Sequence, residues 1–78
     1  MRFHEEIKRL RQRSFMTQEE FAKELNVAFS TVNRWESGKT KPNLSAMKNI
    51  KEFCLSHDIE YTSIEEAWLN FKLEEKKQ

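Results

Sequence analysis

Four side chains able to read or press on nucleic-acid bases lie close together in the chain: Phe29, Ser30, Asn33 and Arg34. Residues three and four apart lie on one side of a short helix, and Phe29 with Asn33, Ser30 with Asn33 and Ser30 with Arg34 are so spaced, so all four can be presented together. An arginine bonds guanine in bidentate fashion, an asparagine bonds adenine, and a serine bonds a base or a phosphate. An aromatic ring can press on a thymine methyl. The alternative reading of Phe29 is a surface aromatic or a satellite of the core, because Val27 and Val32 are near it. Just downstream, Ser37, Gly38, Lys39, Thr40, Lys41 and Pro42 form a short connection with two lysines. Lysines on a tight loop beside such a helix suit phosphate contacts; taken alone they would be ordinary solvated charges. None of this chemistry is available unless a rigid element presents these residues on one face.

That element is the stretch 17–36, TQEEFAKELNVAFSTVNRWE. With Gln18 as first position, apolar residues fall at the fourth, eighth, tenth, fifteenth and eighteenth places: Phe21, Leu25, Val27, Val32 and Trp35. The fifth place is Ala22, small enough for two helices to cross closely. The ninth is Asn26, one of the few non-glycine residues that tolerates a left-handed backbone. Thr17 and Glu20 make a capping box, and Met16 can staple onto Phe21. The pattern predicts helices over 18–25 and 29–37 joined by a sharp turn, a helix-turn-helix. Gly38 then ends the second of these, and Pro42 stops any continuation. Gln18, at the start of its helix, is placed for a phosphate.

The run 17–47 resembles the DNA-binding domain of the Cro and C1 phage-repressor family, the XRE family. The resemblance is carried by Thr17, Gln18, Ala22, Leu25, Val27, Ser30, Thr31, Val32, Trp35, Glu36, Gly38 and Pro42, and extends loosely over residues 3–68. It implies an all-α, five-helix domain of lambda-repressor-like type. It also implies that Arg11 pairs with Glu36, a structural tie between the first and third helices. Phe29, Ser30, Asn33 and Arg34 then become the base-contacting set, and Gln18, Thr31, Ser37, Lys39, Thr40 and Lys41 the phosphate-contacting set. Two departures stand out. Asn26 occupies the usual glycine of the turn. Ala28 stands where a serine or threonine usually caps the recognition helix, so Ser30 or Thr31 could cap it instead.

Composition agrees with a small helical domain. Seventy-eight residues with six Phe, two Trp, one Tyr, one Gly and one Pro supply bulky core material and few turn signals. The expected unit is a single domain over 1–78, with a core over 3–58, a last helix over about 63–75 and a frayed tail. The net charge of +1 hides a polarity: residues 1–51 carry 11 Lys and Arg against 6 Asp and Glu, while residues 52–78 carry 3 against 7. The basic part coincides with the helix-turn-helix. The single Cys54 and the lack of a Cys/His cluster fit a reduced, cytoplasmic setting without a metal site or cofactor. No apolar run is long enough for a signal peptide or a membrane span.

The remaining helices read simply. Phe3, Ile7 and Leu10 form one face of a helix over 3–13, with Glu5 and Glu6 early and Arg11 and Arg13 late, as the helix dipole favours. Asn43 caps a fourth helix reaching about His57, whose buried face is expected to hold Leu44, Met47, Ile50, Phe53 and Cys54. His4 and His57 are expected at the surface, and Ile59 in the core. Thr62 or Ser63 should cap a fifth helix, with Glu65 or Glu66 completing the box. Part of its apolar face should close the core over the fourth helix. The surplus of Trp68, Leu69, Phe71 and Leu73 suggests a dimer interface.

An enzyme is not expected: no glycine-rich phosphate loop, metal spacing or nucleophile with its base is present. The leading reading is sequence-specific binding of double-stranded DNA by a small, repressor-type regulator acting as a two-fold dimer on an inverted repeat. The alternatives are a protein-interaction module such as an antitoxin, and a subunit that brings a larger complex to DNA.

Overall fold

The computed structural model describes residues 2–71. Five helices follow in order: α1 (Phe3–Arg13), α2 (Gln18–Leu25), α3 (Phe29–Glu36), α4 (Leu44–Ser56) and α5 (Thr62–Leu69). Among the described residues there is no strand, and the all-α, five-helix reading holds.

Local chemistry sets the helix boundaries. The Thr17 hydroxyl accepts from the Glu20 amide at 3.1 Å, and the Glu20 carboxylate accepts from the Thr17 amide at 2.9 Å. This reciprocal box starts α2. The Asn43 carboxamide oxygen accepts from the Ala46 amide at 2.9 Å and starts α4.

Four helices end in the same way. A left-handed residue lies one or two positions past each: Phe15 (φ 58), Asn26 (φ 60), Gly38 (φ 82) and Asp58 (φ 56). Its amide and the next one turn back to the last-turn carbonyls, as in Val27 to Ala22 (3.0 Å), Lys39 to Arg34 (3.1 Å) and Ile59 to Cys54 (2.8 Å). These are Schellman ends, which satisfy otherwise orphaned carbonyls. After α1, α2 and α4 the following residue, Met16, Val27 or Ile59, packs back against the core. Gly38 suits its place sterically, and Asn26 and Asp58 tolerate theirs. Phe15 does not, and its ring lies 94% exposed.

Phe3, Ile7 and Leu10 of α1, Phe21, Ala22 and Leu25 of α2, Val32 and Trp35 of α3, and Met47, Ile50, Phe53 and Cys54 of α4 form one core. Phe21 meets Phe53 edge to face at 5.4 Å. Cys54 behaves as a small hydrophobe there, and burial pushes its thiol up to about 11, with Arg13 partly opposing. α1 packs on α3 and α5, and α2 on α3 and α4.

Several expectations change in the second half. Leu44 is not on the buried face of α4 but 68% exposed; Ala46 takes the buried place. Leu44 is the first residue of the helix, and its Cβ tilts beyond the helix end. α5 closes the core over α1, not over α4: Ile64, Ala67 and Phe71 are buried, and Phe71 meets Phe3 edge to face at 6.4 Å. Phe71 therefore belongs to the core and leaves the expected interface set. A groove of about 200 Å³ lies between α4 and α5, lined by Leu44, Met47, Tyr61, Trp68 and Leu69 together with Lys48, Lys51 and Glu65.

Neither Thr62 nor Ser63 caps α5. Tyr61 holds the cap position without a side-chain bond. The Thr62 hydroxyl donates to Glu60 at 2.7 Å and the Ser63 hydroxyl to Glu6 at 3.1 Å. α5 ends at Leu69, where Asn70 is the C-cap, and so stops short of the expected 75; residues 72–75, with Leu73, lie outside the described residues. His4 is half-buried against Gly38, where an added Cβ would sit 3.5 Å from its Nδ1. His57 is exposed but stacks on Phe53 at 4.1 Å.

Candidate nucleic-acid interface

α3 divides cleanly into two faces. Val32 and Trp35 are buried, while Ser30, Asn33 and Arg34 are exposed and Phe29 is 50% exposed. The four candidate base-contacting residues thus share the outer side of one eight-residue helix. Phe29 lies outside the core cluster, which removes the satellite-core reading.

The start of α3 is where the sequence placed it least surely. Ala28 is the N-cap with extended backbone (φ −74, ψ 152), and no side chain caps the helix. Ser30 and Thr31 are already helical, so neither is the substitute cap; the Thr31 amide bonds the Ala28 carbonyl at 3.0 Å. Val27, packing back into the core, fixes the backbone early. The Ser30 side chain consequently stays on the outer face.

Behind this face runs a connected set of polar side chains. Arg11 donates through Nε to Glu36 Oε2 at 2.7 Å and through Nη2 to Glu36 Oε1 at 3.0 Å. Its Nη1 donates to the Met16 carbonyl at 2.9 Å. The pair implied by the resemblance is therefore present, bidentate and largely buried, with the Glu36 side chain only 5% exposed. The hydrogen bond to Glu36 raises the Arg11 pKa above its ordinary value, against the opposing effect of burial. Glu36 Oε1 also accepts from Gln18 Nε2 at 3.0 Å, and Gln18 Oε1 accepts from Asn33 Nδ2 at 3.3 Å. Arg11, Glu36, Gln18 and Asn33 thus link α1, α2 and α3 into one frame.

This frame revises the reading of Gln18. Its carboxamide is not simply free at a helix start but spans α2 and α3, holding Asn33. Asn33 keeps its oxygen and one N–H unused by that bond, the pair a bidentate contact with adenine requires. Sequence spacing gave no sign of this link, because glutamine and asparagine fifteen residues apart meet only through the turn.

The phosphate-side candidates differ among themselves. Lys39 and Ser37 are exposed, while Thr31, Thr40 and Lys41 are half-buried. The Ser37 hydroxyl donates to the Arg34 carbonyl at 3.2 Å. Lys41 is not a freely solvated loop lysine. Its Nζ donates to the Trp68 carbonyl at 3.2 Å and lies 4.4 Å from the Trp68 ring centroid. Among the expected interface residues, Leu69 is 57% exposed and Trp68 half-buried.

No group of three or more His, Cys, Asp or Glu among the described residues could hold a metal ion. No helix among them is long and apolar enough to cross a membrane.

The helix-turn-helix family model matches residues 7–54, from the middle of α1 nearly to the end of α4. The HTH-type transcriptional activator BcrR of Enterococcus faecalis is 40% identical over 53 residues, which are 68% of this chain and 26% of that protein. The chain thus matches about a quarter of that relative's length. No solved structure matches the chain. With the helix-turn-helix geometry and the family match in agreement, the chain belongs to the helix-turn-helix family of transcription regulators, of the Cro/C1 (XRE) type.

Proposed function

We propose that this protein binds double-stranded DNA sequence-specifically, laying α3 in the major groove, and acts as a small regulator by occupying its site. The observation that carries the reading is the outer face of α3. Phe29, Ser30, Asn33 and Arg34 all face outward, and Asn33 is oriented through Gln18 and Glu36 by Arg11. A scaffold used only to hold another protein has no need of that polar set flanked by Lys39. Gln18, Thr31, Ser37, Lys39, Thr40 and Lys41 would follow the phosphates on either side.

We further propose a two-fold dimer on an inverted repeat. The exposed Leu69, beside Trp68 and Leu44, supports this face as the contact between copies; Phe71 has no part in it. A bound dimer needs half-sites one helical turn apart, about 34 Å. The expected effect on transcription is repression by occupancy. The related BcrR is described as an activator, and a reporter carrying the selected site decides the sign here. The direct test is selection of bound sites from a random duplex pool. Recovery of a symmetric site supports the reading. An unenriched pool would give the lead to a protein-interaction module, an antitoxin being one form. A single unpaired half-site would remove the dimer.

A further inference from the structure

Trp68 grips two consecutive residues of the loop that follows α3. Its indole Nε1–H donates to the Pro42 carbonyl at 2.7 Å. Its own carbonyl accepts from Lys41 Nζ at 3.2 Å, and its ring lies under the same ammonium at 4.4 Å. The Pro42 side chain is fully buried, so this stretch of the loop is fixed both by packing and by the tryptophan. Burial alone does not demand the arrangement, since a half-buried tryptophan could turn its N–H to water. The Lys41 ammonium has three donors. The carbonyl engages one and the ring faces the group; the side chain is only partly buried, and no second hydrogen bond to a described residue takes up the others.

We propose that Trp68 is a positioning residue for DNA binding: it holds Lys41 in place so that the ammonium meets a phosphate without having to be ordered on binding. A free lysine side chain loses rotamer freedom when it is immobilised at an interface, which weakens binding. Here that freedom is lost on folding. The inference rests on the DNA-binding reading above and deepens it. It also gives α5 a role the matched family region cannot supply, because that region ends at residue 54 and α5 begins at Thr62.

The test measures affinity for a mixed-sequence duplex of about 20 base pairs across a salt series, since phosphate contacts are read without a preferred site. Lys41→Met should weaken binding and make the salt slope shallower by about one unit. Trp68→Leu, which removes both ring and N–H, should weaken binding about three- to ten-fold and lower the slope in the same direction. The double variant should bind no more weakly than Lys41→Met alone, and Trp68→Phe should restore part of the loss. A merely structural tryptophan would instead give losses that multiply in the double variant and a slope that does not move. Either that result or wild-type affinity in Trp68→Leu overturns the proposal. Should Trp68→Leu not fold, the wild-type indole N–H resonance of Trp68 decides. It must shift on adding duplex and not shift in Lys41→Met; a resonance unmoved in the wild type overturns the inference. A wild type that binds no duplex at all overturns the DNA-binding reading itself, an outcome distinct from normal binding with an indifferent Trp68.

Discussion

The two ends of this small fold are assembled on different principles. α1, α2 and α3 are cross-linked by charged and directional contacts, with Arg11, Glu36, Gln18 and Asn33 in one hydrogen-bonded set. α4 and α5 instead flank a groove whose lining is mainly apolar, with Lys48, Lys51 and Glu65 among it; Ile64, Ala67 and Phe71 seat α5 on α1 beside the Ser63–Glu6 bond, and Trp68 ties it to the loop. Hydrogen bonds fix orientation, whereas apolar packing is non-directional and chiefly fixes proximity. A helix that reads base edges needs the first. A surface that meets another copy needs only shape and exposed apolar area. The hydrogen-bonded side-chain set lies behind α3, and the exposed Leu44 and Leu69 lie beside the groove.

The largest expected effect lies where both halves meet the core. Trp35 is buried beneath the outer face of α3, and Trp35→Ala should destabilise by about 3–5 kcal/mol in chemical denaturation. Unchanged stability would mean that α3 is not seated as described. Next is the frame itself. Arg11→Ala leaves Glu36 buried without its two guanidinium donors and should cost about 2–3 kcal/mol. Arg11→Met combined with Glu36→Leu should be less destabilising than Arg11→Ala alone, because no unpaired charge remains. If the double variant is the worse of the two, the frame supplies net stability and not mainly orientation.

Smaller effects sharpen the contrast. Phe15 holds a left-handed backbone that only glycine adopts freely, while its ring is solvent-exposed. Phe15→Gly should therefore raise stability by about 1 kcal/mol, visible as a higher denaturation midpoint. A loss of stability there would show that the ring makes a contact of its own. Smallest of all, Leu69→Ala should change monomer stability by less than about 0.5 kcal/mol. A large loss would place Leu69 in the core and withdraw it from the dimer proposal.

The first half was legible in the sequence because several independent signals agreed. The apolar spacing from Phe21 to Trp35, the Thr17–Glu20 box and the turn at Asn26 each name the same boundaries. The Arg11–Glu36 pair came from the resemblance alone, since nothing local makes residues twenty-five apart meet. The second half was less legible. Helical periodicity cannot say which neighbour a short amphipathic helix will choose, so α5 was expected over α4 although it packs on α1. That placement made Phe71 look like surplus, while Leu44 fits the periodicity of α4 but, as its first residue, projects past the helix end. The hydroxyls of Thr62 and Ser63 were read as caps, yet carboxylates of Glu60 and Glu6 engage them. The grip of Trp68 on Lys41 and Pro42 left no sequence signal, because it depends on where α5 comes to rest.

The central claim is that α3 reads bases while the loop after it holds phosphates. It is tested most directly by Arg34→Ala in a competition between the selected site and mixed-sequence duplex. Arg34 is exposed on α3, one residue before buried Trp35. The account predicts a loss of roughly 1–3 kcal/mol on the selected site, little loss on mixed sequence, and relaxed preference at one base pair in each half-site. Equal losses on both duplexes would contradict it, making Arg34 a phosphate contact and leaving Ser30 and Asn33 as the candidate readers.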